Sequence, residues 1–60
     1  MKYWLEYHIE HKGTFDKYFD HFPTEKETQF LIDRNDISRA TLWKQSNEKP
    51  NEFIRVIDYI

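Results

Sequence analysis

The chain contains no cysteine. That excludes a disulfide framework and any metal held by thiolates. It also removes the thiol nucleophile, and neither a glycine-rich phosphate loop nor an activated-serine context replaces it. Enzymatic activity is therefore not expected, and no catalytic residue, cofactor or metal ligand is assigned. Glycine occurs once, at Gly13, and proline twice, at Pro23 and Pro50, so tight reversals have few places to form. The longest apolar runs, such as Phe30-Leu31-Ile32, are three residues, against the roughly 20 needed to cross a bilayer as a helix. No membrane partner is expected. The opening MKYWLEYHIE has neither the apolar stretch nor the small-residue cleavage site of a secretion signal. Cytoplasmic location is the expectation.

What the chain does have is aromatic side chains, which make up 18% of its 60 residues. Sixty residues allow one small domain, 1–60, that buries only about 60% of the surface of its unfolded chain. Phe, Tyr and Trp each bury roughly 150–250 Å², so aromatics are an effective filling for so small a core. The formal charge of −2 opposes a primary role on nucleic acid, whose binders carry a basic surplus.

Residues 2–11 alternate with period two, predicting a strand with Tyr3, Leu5, Tyr7 and Ile9 on one face. Gly13 then predicts a tight turn with positive φ, leading into a second strand over 14–21. In that strand Phe15 and Phe19 share one parity and Tyr18 and Phe22 the other, so its register is left open. Thr24 and Glu27 have the spacing of a capping box, predicting a helix of about three turns with Phe30 and Leu31 as its apolar stripe and Asn35 as a left-handed stop. Residues 37–45 and 52–60 predict two further strands, with the turn composition SNEKPN between them. The expected fold is α+β, in the order β-β-α-β-β. A four-stranded, mostly antiparallel sheet carries one helix on one face, with strand order undetermined.

A helix is about 10 Å wide and covers the middle of one sheet face, not both. The strands nevertheless carry apolar residues on both parities. If Tyr3, Leu5, Tyr7, Ile9, Ala40, Leu42, Ile54 and Val56 meet the helix, then Trp4, Trp43, Phe53, Ile57 and Tyr59 face away, with Arg39 and Arg55 among them. Uncovered apolar patches of a few hundred Å² mark interaction sites, and Trp, Tyr and Arg are enriched at binding hot spots. The predicted partner-binding residues are Trp4, Arg39, Trp43, Phe53, Arg55, Ile57 and Tyr59. The expected partner is a protein or a second copy of the chain. A small nucleic-acid-binding domain using the same aromatic and arginine face is the alternative, since open sheets stack bases on aromatic rings. Glu6, Glu10, Asp16, Asp20 and Asp58 punctuate the strands and disfavour it.

The three histidines, His8, His11 and His21, suit a metal poorly, because alternation sends His8 and His11 to opposite faces. Glu6, His8 and Glu10 line one side of the first strand, but so small a domain has little material for the dry pocket that acid–base chemistry needs.

Phe22, Thr24, Glu27, Phe30 and Leu31 follow a strand pair in the pattern F-x-T-x-x-E-x-x-F-[LI]. In this the stretch Tyr3–Ile32 resembles the arm-binding domains of phage-type integrases, sheet-based DNA binders. Those domains are basic and place their helix last, whereas this chain is acidic and continues into a second hairpin, so DNA binding is not carried over. In length, aromatic density and acidic balance the whole chain resembles small accessory proteins of phages and mobile elements. These include anti-CRISPR proteins and inhibitors of uracil-DNA glycosylase. That likeness implies an inhibitor of a host enzyme or defence system, acting in the host cytoplasm, and carries no site residue with it.

Overall fold

The computed structural model describes residues 2–60. Strand β1, Tyr3–Ile9, turns into β2, Gly13–Phe19. A helical segment follows as α1, Glu25–Thr28, and α2, Phe30–Asp33. Strands β3, Ile37–Gln45, and β4, Phe53–Asp58, complete the chain. The four strands form one antiparallel sheet in the order β2-β1-β3-β4. The α+β class and the antiparallel sheet are as the sequence indicates. The first and third strands are central, and each hairpin adds one edge.

The first turn settles the open register. The Lys12 N–H donates to the Ile9 carbonyl at 3.0 Å, and φ is 67° at His11. Positive φ at the third residue of a four-residue turn is the type II pattern. Gly13 follows with φ 109°, so the reversal uses two left-handed residues rather than the glycine alone. Pairing of Ile9 with Gly13 then sets Tyr7 opposite Phe15, Trp4 opposite Tyr18 and Tyr3 opposite Phe19. Phe15 and Phe19 thus share the face of Leu5, and Tyr18 shares that of Trp4.

The helix starts where expected. Thr24 Oγ1 accepts the Glu27 N–H at 3.2 Å, and Glu27 Oε1 accepts the Thr24 N–H at 3.0 Å. It is shorter than predicted and bent at Gln29, whose backbone stays helical (φ −59°, ψ −30°). The Thr28 hydroxyl donates back to the carbonyls of Thr24 and Glu25 at 3.2 and 3.3 Å, a bond that commonly bends helices. The predicted left-handed stop at Asn35 is not used. Arg34 leaves the helix in extended conformation (φ −97°, ψ 134°) and pairs through its guanidinium with Asp36 at 2.6 Å.

One face of the sheet holds the core. Leu5, Ile9, Ala40 and Leu42 from the central strands meet Ile37 and the helix residue Leu31, all buried. Tyr3, Tyr7, Phe19 and Phe30 pack around them, with Tyr7 edge-on to Phe30 at 5.2 Å. The Lys17 ammonium caps the Phe30 ring 4.9 Å from its centroid. Only Leu31 of the predicted helix stripe is fully committed, while Ile32 is 78% exposed.

Strand β4 corrects the parity expected of it. The β3–β4 ladder pairs Leu42 with Ile57 but Trp43 with Arg55, so Val56 is an extra residue. A bulge of this kind sets two residues of one strand against one of its partner. Beyond it the parity inverts. Ile57 and Tyr59 pack against the core instead of facing away, and burial pushes the Tyr59 hydroxyl pKa up. Ile54 and Val56, expected in the core, are 59% and 43% exposed.

Candidate functional site: the helix-free sheet face

The face opposite the helix is built from alternate residues of β1, β2 and β3, with Phe53, Arg55 and Asp58 of β4. Trp4 lies directly between Tyr18 on β2 and Trp43 on β3. Its ring stacks on Trp43 at 5.6 Å with an interplanar angle of 24°, and on Tyr18 at 6.5 Å and 15°. Phe53 of β4 meets Trp4 edge-on at 5.5 Å. Offset stacked and edge-to-face pairs at these separations each contribute about 0.5–1.5 kcal/mol beyond the area they bury. Four rings from four strands thus form one continuous bank across the sheet. The Lys2 ammonium stands over its outer end, 5.6 Å from the Tyr18 centroid.

The two indoles differ in their polar ends. Trp4 Nε1–H donates to Asp16 Oδ1 at 2.8 Å. Trp43 Nε1 is buried and has no acceptor among the described residues. An unpaired buried donor costs about 1–3 kcal/mol, so Trp43 is held by its ring contacts.

One row along the strands, the chemistry changes. Glu6 pairs across with Asp16 on one side and Thr41 on the other, and Thr41 pairs with Asp58. The Thr41 hydroxyl donates to Asp58 Oδ1 at 3.0 Å. Three carboxylates therefore cross the face beside the aromatic bank. The next row holds His8, whose Nδ1 lies 3.1 Å from Thr14 Oγ1 and which pairs across with Arg39.

The predicted residues divide. Trp4, Trp43 and Phe53 come together, with Arg55 beside them through its pairing with Trp43. Arg55 Nη1 also lies 3.9 Å from Asp58 Oδ2. Arg39 is on the same face but four residues along β3 from Trp43, about 13 Å at a strand rise of about 3.3 Å per residue. Ile57 and Tyr59 are on the core side. Two members were missed, Tyr18 and Asp16. Both share the parity that faces Trp4 once Ile9 pairs with Gly13, so the turn register was the signal that would have found them.

Away from this face, His21 bridges two carboxylates, with Nδ1 2.7 Å from Asp20 Oδ1 and Nε2 2.9 Å from Glu27 Oε1. The bonds to Asp20 and Glu27 raise the His21 pKa above its ordinary value. Asp20, facing His21, and Glu27, held first by the Thr24 backbone N–H, both titrate below theirs. A shallow hollow of about 590 Å³ lies beside this cluster, lined by Lys2, Tyr18, Phe19, Asp20, His21 and Gln45. No group of three or more His, Asp or Glu side chains among the described residues is arranged to hold a metal ion. Among the described residues no helix is long and apolar enough to cross a membrane.

Compared with protein-family models, curated proteins and solved structures, the chain matches none.

Proposed function

We propose that the protein is a non-catalytic protein-binding module that engages its partner through the helix-free sheet face. The observation that supports this reading most strongly is the bank Tyr18–Trp4–Trp43–Phe53, continuous across the face opposite the helix, with Tyr18 exposed and the other three rings partly exposed. Rigid aromatic rings already held in place lose little conformational freedom on binding, so their contact area converts efficiently into affinity.

The adjoining row Asp16, Glu6 and Asp58 favours a partner presenting basic side chains beside an apolar anchor. The same row weakens the nucleic-acid alternative, because a phosphate backbone laid across the rings meets carboxylates. Action as an inhibitor of a host enzyme fits this surface, with the module occluding a basic site on its target.

The test is capture from lysate by the tagged protein, followed by titration of the recovered partner against the wild type and Trp4→Ala. Loss of binding in the folded variant supports the reading. Unchanged binding sinks it. Retention on heparin or DNA that falls steeply with salt would favour the nucleic-acid alternative instead.

A further inference from the structure

Strand β4 is one edge of the sheet, and its outer backbone groups meet no other strand among the described residues. An exposed apolar edge is a template for pairing, which proteins ordinarily blunt with charge, proline or shortness. The opposite edge, β2, carries the adjacent charges Asp16 and Lys17 at its middle, whereas the two charges of β4, Arg55 and Asp58, are separated by the apolar pair Val56 and Ile57. On the β4 side, Ile54, Val56 and Ile60 are 59%, 43% and 55% exposed, and no proline interrupts the run Phe53–Ile60.

We propose that β4 pairs antiparallel, edge to edge, with β4 of a second copy about a two-fold axis between Val56 and Ile57. This places Arg55 opposite Asp58, Val56 opposite Ile57, Ile54 opposite Tyr59 and Phe53 opposite Ile60. The charges of the strand, the facing of its side chains and the direction of its backbone agree on that register, the last two both set by the extra residue Val56.

The first is charge. Arg55 and Asp58 are the only charged residues between Phe53 and Ile60, and the two-fold sets each against its opposite on the other chain. Opposite charges directly across a ladder stabilise it, whereas like charges destabilise it.

The second is facing. In a regular strand, residues whose numbers differ by three point to opposite faces, and the register would fail. The extra residue Val56 brings Arg55 and Asp58 to the same side, because their partners Trp43 and Thr41 share a face. Ile54, Ile57 and Tyr59 then share the core side, and Phe53 and Ile60 join the charged pair on the other. No apolar residue meets a charge.

The third is backbone direction. The Tyr59 N–H points inward to the Ala40 carbonyl at 2.9 Å, and the Glu52 carbonyl inward to the Ser46 N–H at 2.9 Å. By alternation, Phe53, Arg55, Asp58 and Ile60 present their groups outward. Those four are the residues the register matches with one another. The result is an eight-stranded sheet. This interface leaves Trp4 and Tyr18 clear, so it does not depend on the partner-binding reading above.

Sedimentation equilibrium on the purified chain tests this. The wild type should move from the 7.5 kDa monomer toward twice that mass as concentration rises to about 1 mM, the range of weak interfaces. Val56→Lys should stay monomeric throughout, with its circular dichroism spectrum unchanged. Arg55→Asp and Asp58→Arg should each weaken self-association by about tenfold through like-charge contact, and the double exchange should restore it. A wild type that remains monomeric overturns the proposal. So does a dimer that survives Val56→Lys, or a double exchange that restores nothing. A dimer abolished by Trp4→Ala but not by Val56→Lys would place self-association on the aromatic face, overturning the edge register while leaving the other reading intact.

Discussion

Trp4 and Trp43 sit directly opposite each other on the two central strands, with ring centroids 5.6 Å apart, yet among the described residues only Trp4 has a hydrogen-bond acceptor. Replacing either indole by phenylalanine keeps an aromatic ring in the bank. Trp4→Phe also removes the bond to Asp16, a loss of about 0.5–1.5 kcal/mol. Trp43→Phe removes a donor that had no partner. Trp4→Phe should therefore be the more destabilising of the two in urea denaturation. The reverse order would mean that Trp43 Nε1 is satisfied in solution.

Asp16→Ala should lower stability by about 0.5–1.5 kcal/mol through the same lost bond, and should shift Trp4 fluorescence while leaving Trp43 emission unaltered. Single-tryptophan variants separate the two signals. An emission spectrum of Trp4 indifferent to Asp16 would refute the contact.

Thr24→Ala removes the acceptor for the Glu27 N–H and should cost about 0.5–2 kcal/mol. Thr24→Ser, which keeps the hydroxyl, should recover most of it. Thermal melts of the three proteins decide the matter, and identical midpoints would show that the cap contributes nothing.

The His21 cluster gives stability a dependence on pH with a definite sign. His21 has a folded pKa raised above its ordinary 6.5. Its contribution is fully present below 6.5 and is lost as pH rises through the folded value. Asp20 and Glu27 have folded values below their ordinary 3.8 and 4.5. Their contributions are present above those values and are lost as pH falls through the folded ones. Stability at this end of the helix should peak between about pH 5 and 6.5. His21→Gln should remove the decline on the alkaline side. An NMR titration placing the His21 midpoint at or below 6.5 would contradict the geometry.

Leu5 and Leu42 face each other at the centre of the core and are fully buried. Truncating either to alanine should cost about 2–5 kcal/mol. A domain of this size holds only about 0.05–0.15 kcal/mol per residue in reserve. Leu42→Ala should therefore populate the unfolded state at 37 °C, seen as collapsed amide dispersion in an NMR spectrum. A fully dispersed spectrum would show that the core tolerates the cavity.

Strand β1, and β3 from Arg39 onward, were legible because their alternation is uninterrupted there, and the capping box gave the helix start from two residues. At the start of β3 the ladder skips Ser38 and brings Ile37 to the core side, against simple alternation. Strand β4 was not legible, since a bulge leaves no mark on composition and one inserted residue sends Ile57 and Tyr59 to the other side. Register in the first hairpin depended on His11 adopting positive φ, which its residue type does not announce. Strand order arises from which edges the helical crossover joins, a long-range choice with no local signature. The helix-free aromatic face survived these errors because Trp4 and Trp43 lie on the two strands whose alternation is unbroken around them.

Of the four strands, the earliest in the chain, β1, ends up in the middle. As the chain emerges from the ribosome, β1 can fold with β2 at once, but its other flank stays bare until β3 has been synthesised. A lone two-stranded hairpin is barely stable in water. The closing bond from Glu10 to Asp36 and the pairing of Ile9 with Ile37 come together only after the helical segment is complete. Half-made chains are thus sticky along β1, and stalling translation between the two should produce aggregates that the finished protein does not form.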